Sequence, residues 1–243
     1  MPTTSRSLNG WLCQLGHKGI SVSTGKKDYG SYRLLNEPYC GKCSLPGVLT
    51  ARCTWHQGDT LARTYAMGPY LHVGSKGAKS DLLSFHILGL KKFRGYSVPL
   101  GLGMSICLEN IYPELSKTDI VCPVPKHPDE FKTDEKRGER YNQSSELARI
   151  LADQLGMRLE DAVTKVRPYS QTNSEWKSRV NIPAGIYVRN SKVEVQNRSL
   201  LVIDDVRTSG GTLSACANAL LSNGAKTVNG YVAGRDTEKG WTP

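Results

Sequence analysis

The sequence lacks any long hydrophobic run. Nowhere in its 243 residues does an apolar stretch approach the ~18 residues of a membrane-spanning helix. The first 30 residues also lack the apolar segment of a secretory signal. Both absences lead to the expectation of a cytoplasmic chain with no membrane span and no Sec export. Two phosphate-binding fingerprints are missing as well: there is no Gly-x4-Gly-Lys-Ser/Thr run of the Walker type and no Gly-x-Gly-x2-Gly of the dinucleotide type. No internal repeat is visible.

Negative charge is in short supply. Asp and Glu number 22 against 32 Lys and Arg, a net charge of +10. Such an excess points to a polyanionic partner or to phosphorylated substrates, or to basic residues that are merely scattered. Its distribution separates these cases: residues 1–80 carry a net +7, residues 81–160 carry −1 and residues 161–243 carry +4. Most of the excess lies in the first third.

Paired cysteines of the secreted kind are not evident. Seven is an odd number, and four of the seven (Cys13, Cys40, Cys43 and Cys53) precede residue 54. Clustering at one end without a secretion signal points to metal in a reducing compartment. The run Cys40-x2-Cys43-x9-Cys53-x2-His56 offers three thiolates and one imidazole on two tight knuckles, a donor set suited to tetrahedral Zn2+. No residue reads as an open catalytic position, so the expected ion is structural and the segment folds on it. A competing set of Cys13, His17, Cys40 and Cys43 ranks lower because it strands Cys53 and His56. His72, His86 and His127 stand alone and read as surface or core residues.

Residues 1–38 show no sustained period and are expected to be loosely ordered or wrapped over the body. Leu82, Leu83, Ile87 and Leu90 share one helical face. Residues 119–125 read as a strand ended by proline, and residues 126–141 as an exposed charged loop. A helix is expected from Ser144 to Gly156, with Leu147, Ile150, Leu151 and Leu155 as its stripe. Gly185–Arg189 alternates like a strand. Ser199–Ile203 is continuously apolar, as in a strand buried on both faces of a parallel sheet. A helix over 211–223, with Gly224 as terminator, and a strand from Thr227 complete a βαβ unit.

The chemistry is concentrated in Leu200-Leu-Val-Ile-Asp204-Asp205-Val206-Arg207-Thr208-Ser209-Gly210-Gly211-Thr212. Here a strand delivers two carboxylates to the carboxyl end of a sheet, where open α/β folds bind ligands. The small-residue turn that follows opens a helix, so its N–H groups and the helix dipole form an anion site. Gly210 and Gly211 permit close approach, and Thr208, Ser209 and Thr212 add hydroxyls. A phosphate cradle beside an acidic pair suits a sugar phosphate.

This run resembles the 5-phosphoribosyl-1-pyrophosphate (PRPP) motif of type I phosphoribosyltransferases. The rest of the chain narrows the likeness. Cys122-Pro123-Val124-Pro125 precedes a charged loop and Lys136-Arg137-Gly138-Glu139-Arg140-Tyr141-Asn142-Gln143-Ser144; Arg167-x3-Gln171, Arg179 and Asn181 follow, and Cys40-Gly-Lys-Cys43-Ser-Leu-Pro and Leu90-Lys-Lys-Phe93 lie upstream. Together, over residues 39–237, they are similar to the ComF family of competence protein F-like phosphoribosyltransferase relatives. Residues 1–38 lie outside the likeness.

The resemblance implies an α/β fold: a doubly wound, mainly parallel sheet of the type I phosphoribosyltransferase kind. A basic N-terminal segment (1–60) would contain a zinc-ribbon-like module (39–58), and the transferase-like domain would span 61–243. It implies catalytic roles for Asp204, Asp205, Arg137 and Arg140, and phosphate binding by Arg207, Thr208, Ser209, Gly210, Gly211 and Thr212. Val124, Pro125, Lys126, Tyr141, Asn142 and Gln143 would form the pyrophosphate and flexible loops. Glu139 and Arg140 intrude between Gly138 and the aromatic of the family's Arg-Gly-Phe-Asn-Gln signature, so either arginine may be the one that meets pyrophosphate. Thr208 stands where purine-salvage enzymes usually place an Asp, and a threonine cannot act as that general base, which disfavours hypoxanthine–guanine chemistry. Specificity is expected from a variable hood including parts of 60–118 and 160–185.

Two readings of function result. One is an enzyme that uses Mg2+ to bind PRPP and transfers the phosphoribosyl group to an unidentified acceptor, releasing pyrophosphate. The other is a non-catalytic PRPP sensor or competence-type accessory protein. In that case the basic N-terminal module would contact single-stranded DNA or a DNA-processing protein, with Tyr29, Tyr32, Tyr39 and Trp55 as stacking residues.

Overall fold

The computed structural model describes residues 7–8, 11–15, 19–24, 27–35, 38–56, 59–71, 77, 80–169 and 182–237. The chain opens with a four-stranded antiparallel sheet of β1 (Ser7–Leu8), β2 (Trp11–Leu15), β3 (Gly19–Thr24) and β4 (Lys27–Arg33), in that order. Of the two expectations for residues 1–38, loosely ordered or wrapped over the body, the second is the nearer, and the wrap is a regular sheet. Short alternating strands carry few apolar residues, but Ile20, Val22 and Tyr32 all reach the main core. Tyr32 is fully buried and its hydroxyl meets His86 Nδ1 at 2.6 Å, so it is a core residue with no face to offer a base. His86 is likewise a core histidine.

After the cysteine segment come β5 (Thr64–Tyr70), α1 (Leu82–Leu90), α2 (Ser97–Ile111), β6 (Ile120–Pro123), a short pair β7 (Lys132–Thr133) and β8 (Arg140–Tyr141), and α3 (Gln143–Leu155). Then follow β9 (Val163–Lys165), β10 (Tyr187–Arg189), β11 (Ser199–Arg207), α4 (Gly211–Leu221) and β12 (Thr227–Asp236). The central sheet has the order β5-β12-β11-β6, and all three pairings are parallel. Its strands are buried on both faces, which explains their unbroken apolar runs. Leu201, Ile203, Tyr231 and Ala233 face the core formed with α1, α2 and α3. Leu200, Val202, Val228 and Val232 face the core formed with α4 and the antiparallel β9–β10 pair. The sheet is thus the doubly wound, parallel layer expected.

Part of the expected hood belongs to the body instead. β5 is an edge strand of the central sheet, and α1 and α2 pack on that sheet. Helix α2 eludes periodicity because it is covered on most sides, by the N-terminal sheet, the central sheet and α3. At Gly101 it comes so close to α3 that a Cβ would stand 2.7 Å from Ile150 Cγ2. The charged loop is largely exposed, as expected, and holds the short β7–β8 pair. Asp134 accepts from the backbone N–H of Lys136 and Arg137, both at 2.9 Å, and of Arg94 at 2.6 Å, closing the β7–β8 turn against the 91–96 segment. Among the described residues no helix is long and apolar enough to cross a membrane.

Candidate functional site

Strand β11 continues past its apolar stretch, so Asp204 and Asp205 emerge half-buried at the carboxyl end of the sheet. Asp204 Oδ1 accepts from Ser144 Oγ at 2.7 Å and from the Asp205 N–H at 3.0 Å. Asp205 Oδ1 accepts from the Val206 N–H at 2.9 Å. Burial, then repulsion from Asp205, pushes the Asp204 carboxyl up to about 7, against the pull of the Ser144 hydroxyl and the Lys126 charge. Ser144 is a site residue that the sequence reading passed over. Its only local signal is a hydroxyl in the first turn of a helix, and the packing of α3 on β11 is what brings it to Asp204.

The turn after β11 is built as expected. Gly210 caps α4 with φ +88°, in the left-handed region that favours glycine. A Cβ there would stand 2.5 Å from the Arg207 guanidinium. Residues 208–212, with Asp204, Val206, Arg207 and Leu213, line one depression. The first-turn N–H groups of α4, which a helix cannot satisfy internally, open onto this loop. Arg207 lines the depression, but its side chain is 1% exposed and paired with Asp59 at 2.9 Å; it also donates to Thr64 Oγ1. The guanidinium therefore supports the loop from beneath.

The second expected loop lies beside the acidic pair. Lys126 Nζ donates to Gln143 Oε1. Burial holds its pKa below the usual lysine range, against the pull of Asp205 and Asp204. Asn142 caps α3, accepting from Ser144 N–H at 3.2 Å, and donates to the Val124 carbonyl at 2.9 Å. Asn142 thus ties α3 to Val124, next to Pro125. Tyr141 stands apart from this group: it is buried and its hydroxyl donates to the Leu90 carbonyl, so it packs the core instead of facing the loop. Arg140 donates to the Pro128 carbonyl and lies 5.8 Å over the Phe131 ring. Arg137 is exposed, and its guanidinium makes no ion pair among the described residues. Arg167 is exposed on the surface. Gln171, Arg179, Asn181, His72 and His17, and the side chains of Cys13 and Tyr29, lie outside the described residues.

The thiols of Cys40, Cys43 and Cys53 lie within 4.8 Å of one another and are buried. Cys43 Sγ and Cys53 Sγ are 3.6 Å apart, near the ~3.8 Å that two ~2.3 Å bonds to a tetrahedral ion produce. Burial, with Cys43 beside it, pushes the Cys53 thiol up to about 12, and a cation would relieve both effects. His56 is not part of this cluster. The structure brings together three of the four expected ligands, and His56 Nε2 is buried without a hydrogen-bond partner among the described residues.

Comparison with known proteins agrees with this arrangement. Residues 142–239 match the phosphoribosyl transferase domain family, a span that holds α3, the acidic pair and the loop after β11. The chain is 26% identical over 247 aligned positions to the DNA utilization protein YhgH of Escherichia coli O6:H1 (strain CFT073), covering 90% of this chain and 92% of that protein. A 50-residue stretch is 46% identical to the ribose-phosphate pyrophosphokinase of Rhizobium meliloti (strain 1021), 21% of this chain and 16% of that one. Among solved structures, the phosphoribosylpyrophosphate synthetase of Mycobacterium smegmatis aligns with a TM-score of 0.33 at 17% identity, over 55% of this chain and 33% of that one. The chain thus spans about a third of that synthetase. The hypoxanthine-guanine phosphoribosyl transferase of L. donovani aligns with a TM-score of 0.34 at 15% identity, over 56% of this chain and 71% of that one. Residues 142–239 thus match a phosphoribosyl transferase domain whose strands β11 and β12 belong to an all-parallel central sheet, and nine-tenths of the chain is similar to a DNA utilization protein.

Proposed function

We propose that the chain binds PRPP and transfers its 5-phosphoribosyl group, a pentosyl transfer that releases pyrophosphate. The observation that carries this reading is the meeting, at one strand end, of an acidic pair and a loop of helix-opening N–H groups, with Lys126 opposite. The N–H groups and hydroxyls of Thr208–Thr212 hold the 5′-phosphate. Asp204 and Asp205 hold the ribose hydroxyls, directly or through Mg2+, which when bound neutralises pyrophosphate. Val124, Pro125 and Lys126, oriented by Asn142 and Gln143, receive the pyrophosphate end. Arg137, whose guanidinium makes no ion pair among the described residues, is freer to close over it than Arg140, which donates to the Pro128 carbonyl. An acceptor attacks the anomeric carbon, the bond to the pyrophosphate oxygen breaks with its electron pair, and the acceptor's proton passes to solvent. Positioning and charge stabilisation are the protein's contribution.

Calorimetry with PRPP and Mg2+ tests the site. Wild type binds, and the Asp204→Asn/Asp205→Asn variant loses at least about tenfold in affinity; absence of wild-type binding rejects the reading. Release of pyrophosphate across a panel of bases and amines then separates a catalyst from a PRPP sensor.

The cysteine segment is read as a structural Zn2+ site held by Cys40, Cys43 and Cys53, with His56 the candidate fourth ligand on the strength of its buried, unpartnered Nε2. Metal analysis of Cys40→Ser is expected to show about one equivalent fewer than wild type, and equal content refutes the site. A link to DNA is the second reading. It rests on the similarity to a DNA utilization protein across nine-tenths of the chain and on the basic first third.

A further inference from the structure

Arg235, near the end of β12, is fully buried. Its Nε donates to the Cys43 carbonyl at 3.0 Å. Its Nη1 donates to the carbonyls of Arg207 at 2.9 Å, Thr208 at 2.8 Å and Asp236 at 3.0 Å. One side chain thus joins the cysteine knuckle to the entry of the phosphate loop. A second tie runs parallel to it. Asp59 pairs with Arg207 at 2.9 Å and accepts from Ser214 Oγ at 2.7 Å, while Thr60 Oγ1 donates to the Ser214 carbonyl at 3.0 Å.

Peptide planarity makes the first tie directional. In a trans peptide the C=O of one residue and the N–H of the next point in opposite directions. Holding the Arg207 carbonyl toward Arg235 aims the Thr208 N–H away from it, and holding the Thr208 carbonyl does the same for the Ser209 N–H. An anion cradle needs this polarity, with donors outward and acceptors turned back, because a single flipped carbonyl would repel the ligand. The interior cation achieves it without entering the cradle.

We propose that Arg235 is a positioning residue for the 5′-phosphate, and that the cysteine segment is the abutment against which it holds the loop. This rests on the reading of residues 208–212 as the phosphate loop. The test uses the full chain as wild type, Arg235→Gln and Arg235→Lys, titrated with ribose 5-phosphate and separately with magnesium pyrophosphate. Amide exchange of Thr208 and Ser209 is measured in parallel. Arg235→Gln is expected to weaken ribose 5-phosphate about tenfold and to speed exchange of both amides. Arg235→Lys, which keeps one charged donor, falls between. Magnesium pyrophosphate, held by groups that Arg235 does not touch, stays within about twofold of wild type. Unchanged ribose 5-phosphate affinity in a folded variant overturns the proposal, as does equal loss of both ligands. Should Arg235→Gln fail to fold, Arg235→Lys decides by the same criteria. Wild type that binds neither ligand rejects the reading of the site itself, and the amide exchange then decides the bracing role alone.

Discussion

Burial and the neighbouring Asp205 favour the protonated form of Asp204. Its carboxyl moves from the ordinary 3.8 to about 7 in the fold, chiefly by burial and then by the charge of Asp205. A carboxyl raised in this way contributes stability that is complete below 3.8 and is lost as pH rises through about 7. The ligand-free protein should therefore melt at a lower temperature at pH 8 than at pH 5, and Asp204→Asn should reduce that difference. Binding of magnesium–PRPP should strengthen over the same interval and release a proton, which calorimetry in buffers of different ionisation heat will detect. A pH-independent affinity would place the proton elsewhere. The same residue shows how far local sequence can be read. The pair Asp204-Asp205 stands out at the end of an apolar run, but the Ser144 hydroxyl against it is 60 positions away and carries no signal of its own.

Among the elements, strand β11, helix α4 and strand β12 were legible because each is long, apolar and ended by glycine or a turn. Helix α3 was legible because solvent covers one side, so its stripe is sharp. Helix α2 was not, since a helix covered on most sides has no polar face to mark its period. β5 was missed for a related reason. Its seven residues, Thr-Tyr-Ala-Met-Gly-Pro-Tyr, are all buried, but proline and glycine mask the strand propensity, and the edge of a sheet tolerates them. The ties between elements were not legible at all. Asp59, 3% exposed, is paired with Arg207, 1% exposed, across 148 positions of chain. Removing one member of a buried pair strands the other charge at a cost of about 3–5 kcal/mol. Asp59→Ala should lower stability by that order in denaturant titrations. A loss under ~1 kcal/mol would mean that water reaches Arg207 from the loop side.

For the molecule as a whole, the charge of +10 is unevenly carried. Residues 81–243, which hold the proposed phosphate site, have a net charge of only +3, and residues 1–80 have +7. On the second reading proposed above, single-stranded DNA on the N-terminal region dissociates with rising salt, with a logarithmic slope of about −0.7 per phosphate neutralised. Deleting residues 1–60 is a poor test, because Ile20, Val22, Tyr32 and Leu34 belong to the main core. Substituting Lys26, Lys27 and Arg52 by glutamate keeps those apolar residues in place. It should reduce both affinity and slope, and undiminished affinity would remove the N-terminal region from any such role.

The bond from Arg235 to the Cys43 carbonyl spans 192 positions, and among the described strands the parallel partner of β5 is β12. On the ribosome, therefore, the early cysteine segment and the strand after it must wait for β12 to emerge before they can dock. Until then β5 lacks its sheet partner, and the three thiols are covered by their own local cluster with Leu45, Val48 and Trp55. A nascent chain that has not yet reached β12 thus carries an unpaired strand, a feature open to wrong pairing. Early capture of a metal by the knuckle would protect those thiols before the remainder of the fold exists.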